Sequence, residues 1–276
     1  IIDRTTTPMG ARQLRRWITL PLKEITLIES RLKVVDFLIK DEEFADRIKE
    51  QIKVIGDLER LISKVAVGRI NPREMLHLQH SLEAVSEIKI LCCSSGNEWL
   101  KAIGEKLNPC TMMSERIARE INEDAPVVVA KGNVIAAGVN GELDELRLLS
   151  SSGKDYLSAI QQRESEETGI PSLKIGFNNV FGYYLEVTNT HKNKVPATWT
   201  RKQTLTNAER YITEELKEYE NKILGAEERI SVLEAQLFEQ LLIALTEYVQ
   251  PIQYDAQLIA QLDCLQSFAT VALANN

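Results

Sequence analysis

The sequence predicts a mainly α protein: a multi-helix core with a long antiparallel helical pair carrying a small β-rich module at its tip. Three observations lead there. Residues 1–126 read as short helices punctuated by cap residues and prolines. Two long stretches, one either side of residues 172–212, space their apolar residues by three and four. The stretch between them alternates apolar and polar residues with period two, which is strand spacing.

The helices can be placed in order. Thr7-Pro8 is an N-cap followed by proline at the first helical position, and that helix runs to about Leu20 before Pro21. Ile25 to Ile39 is amphipathic, with Ile28, Leu32, Val35 and Leu38 expected on its buried stripe. Asp41 and Asp57 cap a third and a fourth helix. Asn71-Pro72 opens a longer one to about Cys93, and Asn97 and Asn108-Pro109 start two more. Residues 127–139, VVVAKGNVIAAGV, are β-branched and glycine-punctuated and read as two short strands or extended segments.

Asn140-Gly141 begins the first long helix. Leu143, Leu146, Leu149 or Ser150, Gly153, Leu157 and Ile160 form its seam, and Gly169-Ile170-Pro171 breaks it. In the β-rich module Leu173, Ile175 and Phe177 alternate, then Tyr183, Leu185 and Val187, then a third run from Trp199 to Leu205; Asn178, Asn179 and Gly182 supply the first turn. Two caps compete for the second long helix: Thr206 with Glu209 as a T-x-x-E capping box, and Thr213 before Glu214-Glu215. Ile212, Leu216, Tyr219, Ile223, Ala226, Ile230, Leu233 and Leu237 then follow a heptad seam. Pro251 ends or kinks this helix, and a last one over 253–274 presents Leu258, Leu262, Leu265 and Ala269. Each seam must bury itself, so the two long helices are expected to pair antiparallel, as a stalk between a helical base and the module. Leu143, Leu146, Leu157, Ile160, Leu216, Ile223, Ile230 and Leu237 are the expected packing residues.

Charge singles out the module. Residues 172–212 hold Lys174, Lys192, Lys194, Arg201, Lys202 and Arg210 against Glu186 and Glu209, a balance of +4, whereas the whole chain is −7. A pI near 5.3 argues against nucleic acid only bluntly, because binding uses a local patch. Arg201-Lys202, followed by Gln203, Thr204, Thr206 and Asn207, and the run His191-Lys192-Asn193-Lys194 are donor types that contact phosphates without reading sequence. The other reading is solubilising charge and edge protection. No recognition helix, zinc finger or RNP aromatic signature supports base readout. Tyr183 and Trp199 read as core of the small sheet, and Tyr184, on the polar phase, as the more exposed aromatic.

Other chemistries find little support. No apolar run approaches the roughly 18–20 residues of a membrane span, and no signal peptide opens the chain, whose first residue, Ile1, suggests an excised fragment. Cys92, Cys93, Cys110 and Cys264 lack CxxC spacing and suit reduced thiols in a cytosolic protein. His77 and His80, with Glu74, lack further convergent metal ligands. There is no GxxxxGK[ST] and no Ser/His/Asp grouping, so nothing calls for an enzyme.

Several separated motifs share one resemblance. Gly176-Phe177-Asn178 with Gly182-Tyr183-Tyr184, the run from Arg201 to Leu205, Asn207-Ala208-Glu209-Arg210-Tyr211 and Glu215 to Glu220 resemble the MutS family of DNA mismatch-repair proteins, of the bacterial mismatch-recognising type. So do Thr7-Pro8-Met9-Gly10-Ala11-Arg12, Leu14-Arg15-Arg16-Trp17, Pro21-Leu22 and Gly141 to Arg147. The resemblance implies a clamp-shaped homodimer encircling double-stranded DNA in the bacterial cytoplasm, with downstream repair factors as further partners and no membrane. It implies a core over 1–140, an ascending lever helix over 141–171, a clamp over 172–212, a descending lever over 213–250 and a helical return over 251–276. Relatives often carry proline where Glu214 stands, which favours Thr213 as the cap. The expected backbone-binding residues are Lys174, His191, Lys192, Asn193, Lys194, Arg201, Lys202, Thr206, Asn207 and Arg210. Relatives can have a basic residue at position 206, so the contact expected from Thr206 is weaker. A mismatch-reading domain would precede Ile1. An ATPase domain, with ATP and Mg, would follow Asn276, leaving no cofactor, metal or catalytic residue in this chain. The rival readings are a stalk-and-tip dimerisation hinge without DNA binding and a small metalloenzyme using His77 and His80.

Overall fold

Short polar side chains decide where most of the helices begin. In the computed structural model, which describes residues 2–275 (of residues 152–154 the backbone only), Thr7 caps α1 (Pro8–Thr19) by accepting the Gly10 amide. Asp41 caps α3 (Glu42–Ile55), Asp57 caps α4 (Leu58–Ala66), and Asn97 caps α6 (Glu98–Lys106). Asn71 and Glu74 form a reciprocal capping box ahead of α5 (Pro72–Ser94). Each such side chain satisfies an amide that the helix itself leaves unpaired. α2 (Ile25–Lys40) begins without a side-chain cap. α7 (Thr111–Glu120) starts later than the Asn108-Pro109 signal suggests. Asn108 accepts from the Cys110 amide in a tight turn, and Cys110, in the left-handed region at φ 48°, becomes the first half-helical residue.

The chain divides into two units, Ile1–Val139 with Gln236–Asn276, and Asn140–Ala235. In the first, α5 is buried along most of its length among α3, α6 and α7, through Met75, Leu78, Leu82, Val85, Ile88 and Leu91. The last helix, α10 (Val249–Ala274), packs on α1, α2 and α4 and buries Leu258, Leu262, Leu265 and Ala269. Asp263 on α10 accepts the Thr6 amide, the Thr7 amide and the Thr7 hydroxyl at 2.7–2.8 Å. Its carboxylate lies so close to Gly10 that a Cβ there would stand 2.1 Å from Oδ2, so only glycine fits.

Two readings of this unit change. Where two short strands or extended segments are expected, residues 127–139 hold a short 3-10 turn, Val129–Lys131, and a single bridge between Ile121 and Ile135, with no strand among the described residues. With Val127 and Val128 half exposed, no strand among the described residues pairs with them, and β-propensity alone does not make a ladder. In α2 the buried residues are Val34 and Leu38, whereas Ile28 and Leu32 are exposed. The helix has apolar residues nearly all round, so its pattern does not choose a face. Packing on α10 chooses it, and Arg31 stacks 3.5 Å over the Trp17 ring.

In the second unit Asn140 caps α8 (Gly141–Thr168), which ends at Gly169 in the left-handed conformation. A four-stranded antiparallel sheet follows, in the order β1-β2-β4-β3: β1 (Lys174–Asn178), β2 (Gly182–Thr188), β3 (Thr200–Thr204) and β4 (Ala208–Ile212). β4 is a strand where a helix cap competed in the sequence. The cap of α9 (Glu214–Thr246) is Thr213, whose hydroxyl accepts the Leu216 amide at 3.1 Å. α9 stops short of Pro251, which lies in the first turn of α10, where it disrupts no helical hydrogen bond.

α8 and α9 run antiparallel. Glu142 meets Arg229 at 2.8 Å, Arg147 bonds Glu234, Tyr156 and Arg163 bond Glu215, and the Tyr156 and Tyr219 rings stack at 4.8 Å. Leu143, Ile160, Leu216 and Ile223 are buried; Leu146, Leu157, Ile230 and Leu237 are half-buried. Ser150 is half-buried and Leu149 is exposed, while Gly153 lies outside the residues whose burial is described. Leu173, Leu185, Val187, Trp199 and Tyr211 cover Ile160 and Leu216 in one apolar cluster, which joins the sheet to the helices. Among the described residues no helix is long and apolar enough to cross a membrane.

Two stability predictions follow from burial. Asp255 on α10 is fully buried; its Oδ1 accepts the Asn108 amide at 2.9 Å and its Oδ2 has no partner among the described residues. Burial pushes its carboxyl from an ordinary 3.8 to about 7. The folded state therefore holds a proton that the unfolded state releases, and the resulting cost is absent below about pH 4 and complete above about pH 7. Asp255→Asn should stabilise the protein more at pH 8 than at pH 5, by on the order of 2 kcal/mol, in urea melts at the two pH values. Ile223→Asp places a charge in a seam position that is 5% exposed, and should cost several kcal/mol. Unchanged thermal stability and protease resistance in that variant would refute the paired-helix packing.

Candidate nucleic-acid interface

The basic surface is built around the β3–β4 turn. The Leu205 amide closes the turn on the Ala208 carbonyl at 2.8 Å, leaving Thr206 and Asn207 exposed at its tip. A 3-10 segment, Asn189–Lys194, lies against it. The Asn189 amide donates to the Asn207 carbonyl at 3.1 Å, and its side-chain amide donates to the Thr206 carbonyl at 3.0 Å. One asparagine thus holds the His191–Lys194 run beside the turn.

Glu209, the second residue of β4, sits under the cations. Tyr211 donates its hydroxyl to Oε2, and Arg201 Nη1 reaches Oε1 at 3.2 Å. Tyr211, Arg201 and nearby Lys192 all favour the charged carboxylate and hold it below the usual carboxylate range, the tyrosine most. Burial and the adjacent carboxylate push the Tyr211 hydroxyl up to about 12. Glu209 is buried at 8%, whereas Arg201 and Lys192 are exposed.

The remaining basic residues do not share this surface. Lys202, at the irregularity in β3 pairing, lines a separate cavity of about 570 Å³ with Phe181, Lys217 and Glu220. Lys194 donates to the Gly169 carbonyl at 2.8 Å, across the end of α8. Lys174 is exposed on the edge strand β1, opposite Glu186. Arg210 is committed internally: it donates to Glu186 and to Gln203 at 2.9 Å each and stacks 4.4 Å over the Tyr184 ring. Tyr184 is therefore buried and not the exposed aromatic its phase suggests, because Arg210 and Phe181 cover the outer face of the sheet. Tyr183 is half-buried against the apolar cluster. His191 is half-buried and Asn193 is exposed.

A family model described as MutS domain III matches residues 1–269. The chain belongs to the MutS family. A DNA mismatch repair protein MutS from Parabacteroides distasonis is 60% identical over 275 residues. Those from Bacteroides thetaiotaomicron and Phocaeicola vulgatus are 59% and 58% identical over 276. Each match covers 100% of this chain and 32% of the relative, so the chain spans about a third of the length of the curated relatives it matches.

Within this MutS domain III chain the sequence pattern left two residues of the basic surface unassigned. Nothing in the local pattern marks Asn189, and Glu209 counts there only as an opposing charge or part of a helix cap. A carboxylate two residues before a tyrosine in a strand puts both on the same face, and that spacing was the available signal. Arg210→Ala would leave Glu186 unpaired and Tyr184 uncovered. It should lower stability in chemical denaturation by about 1–3 kcal/mol and leave the salt dependence of duplex binding nearly unchanged.

Proposed function

We propose that this chain is the core, lever and clamp portion of a bacterial, cytoplasmic mismatch-repair protein, and that its β module holds duplex DNA by the phosphate backbone. In this reading residues 1–140 are the core, 141–171 and 213–250 are the levers, 172–212 are the clamp, and 251–276 are the helical return to the core. The observation that carries it is the exposed pair Lys192 and Arg201 beside Thr206 and Asn207, on a basic module of a −7 chain whose relatives are named for DNA mismatch repair. Lysine, arginine, threonine and asparagine donors together suit phosphate oxygens, and nothing among them reads base edges. The whole protein acts as a homodimer encircling DNA, binds mismatches, works with downstream repair factors and hydrolyses ATP. No GxxxxGK[ST] stands in this sequence, so ATP and magnesium are assigned to the part of the relatives' length that it does not span.

The test is a salt titration of duplex binding by fluorescence anisotropy. With about three or four phosphate contacts, log K should fall against log salt with a slope of roughly −3 to −4, in the ~10⁻⁴–10⁻⁶ M non-specific range. Matched and mismatched duplexes should bind alike. Arg201→Ala with Lys192→Ala should flatten the slope by about two units, one per lost contact. An unchanged slope would make the charge ordinary solubilising surface.

A further inference from the structure

We infer that Glu209, held by Tyr211, is a positioning residue for DNA: it presents Arg201 to a phosphate. This rests on the backbone-binding reading above. An acidic residue inside a basic surface is expected to weaken binding of a polyanion. The geometry here argues for the opposite sign. The carboxylate is buried, while the guanidinium it engages projects into solvent, so the acid lies beneath the base. Oε2 takes the Tyr211 hydroxyl, which fixes the carboxylate from the apolar side of the sheet. Among the described residues Oε1 takes only Nη1 of Arg201, at 3.2 Å. Four of the five guanidinium N–H groups are then free of Glu209, enough for a bidentate phosphate contact.

Register makes the arrangement rigid. Arg201 pairs with Tyr211 and Thr204 with Glu209 across the β3–β4 ladder, and Val187 pairs with Glu209 on the other side. Glu209 thus sits in a strand flanked on both edges, and Arg201 in an edge strand whose one neighbour is β4. An arginine on an edge strand loses much rotamer freedom when it binds; one already tethered loses less. The negative charge of Glu209 is matched by Arg201 and by nearby Lys192 and damped by the tyrosine hydroxyl, so little of it faces an incoming phosphate.

Charge counting and positioning predict opposite outcomes, which makes the test decisive. Glu209→Ala adds one net positive charge to the surface. If Glu209 only opposes DNA, the variant binds a labelled random-sequence duplex more tightly. If it positions Arg201, the variant binds about three- to fivefold more weakly and its salt slope flattens by about one unit. Glu209→Gln, which keeps an acceptor for Arg201, should recover part of the loss. In an Arg201→Ala background there is nothing left to position, and Glu209→Ala should then tighten binding. Tighter binding by the single variant overturns the inference. Loss of the same size in both backgrounds also overturns it, since that marks a merely structural role. Should Glu209→Ala not fold, Tyr211→Phe decides, because it removes only the hydroxyl: weaker binding with a flatter slope supports the inference, and unchanged or tighter binding overturns it. If Arg201→Ala alone changes neither affinity nor slope, the backbone-binding role of this surface falls together with it. If Arg201→Ala weakens binding while Glu209→Ala strengthens it, the positioning role falls alone.

Discussion

The second unit depends on β4. This five-residue strand lies between β2 and β3, so the β1–β2 hairpin and the edge strand β3 belong to one sheet only through it. Its two faces are occupied by different chemistry. Tyr211 joins the apolar cluster with Leu185, Trp199 and Leu216, while Arg210 lies on the other face with Glu186 and Tyr184. Its last residues lead directly into the Thr213 cap of α9. The strand therefore fixes the sheet, its attachment to the helices and the seat of the exposed cations at once. An isolated β3 would have no ladder partner, and strands of that length need one.

How much of this could be read from the sequence depends on whether the signal is local. Cap residues are local: an Asp or Asn oxygen and an amide three residues on decide a helix start, and Asp41, Asp57, Asn71, Asn97 and Asn140 all do so. The heptad spacing from Leu216 to Leu233 is legible for the same reason. β4 is different. Ala208-Glu209-Arg210-Tyr211-Ile212 does not alternate in polarity because both faces are covered, and Thr206-x-x-Glu209 satisfies a helix-cap pattern. Only the neighbouring strands make it a strand. α2 fails in a related way, since several apolar stripes compete and the choice between them lies in α10, more than two hundred residues away in sequence.

The basic surface follows the same division. Composition shows that residues 172–212 are positive, but the fold sorts the cations into different tasks. Arg210 and Lys194 are bound to internal acceptors, Lys202 turns to another cavity, and Lys192 and Arg201 are gathered around one buried carboxylate. A count of Lys and Arg overstates the charge available to a partner, because an internally paired arginine has few donors left to offer. Asn189 supplies the ordering that no charge count contains, by tying the 3-10 segment to the β3–β4 turn.

The antiparallel course of α8 and α9 has a consequence for how the chain folds. The first unit is discontinuous in sequence, built from segments either side of residues 140–235. Bringing Thr6 and Thr7 to Asp263 requires closing a loop across that whole interval. Loop-closure entropy falls by about 0.6 kcal/mol for each halving of the effective loop. Once Glu142 lies against Arg229 and Arg147 against Glu234, the two ends of the interval are neighbours, and the Thr7–Asp263 loop of 256 residues is shortened by 87, which is less than one halving. The insertion then behaves as a pre-closed bracket. A variant that splays the bracket lengthens that loop again, and so costs the first unit a few tenths of a kcal/mol, about 0.6 at most, although no residue of that unit is changed.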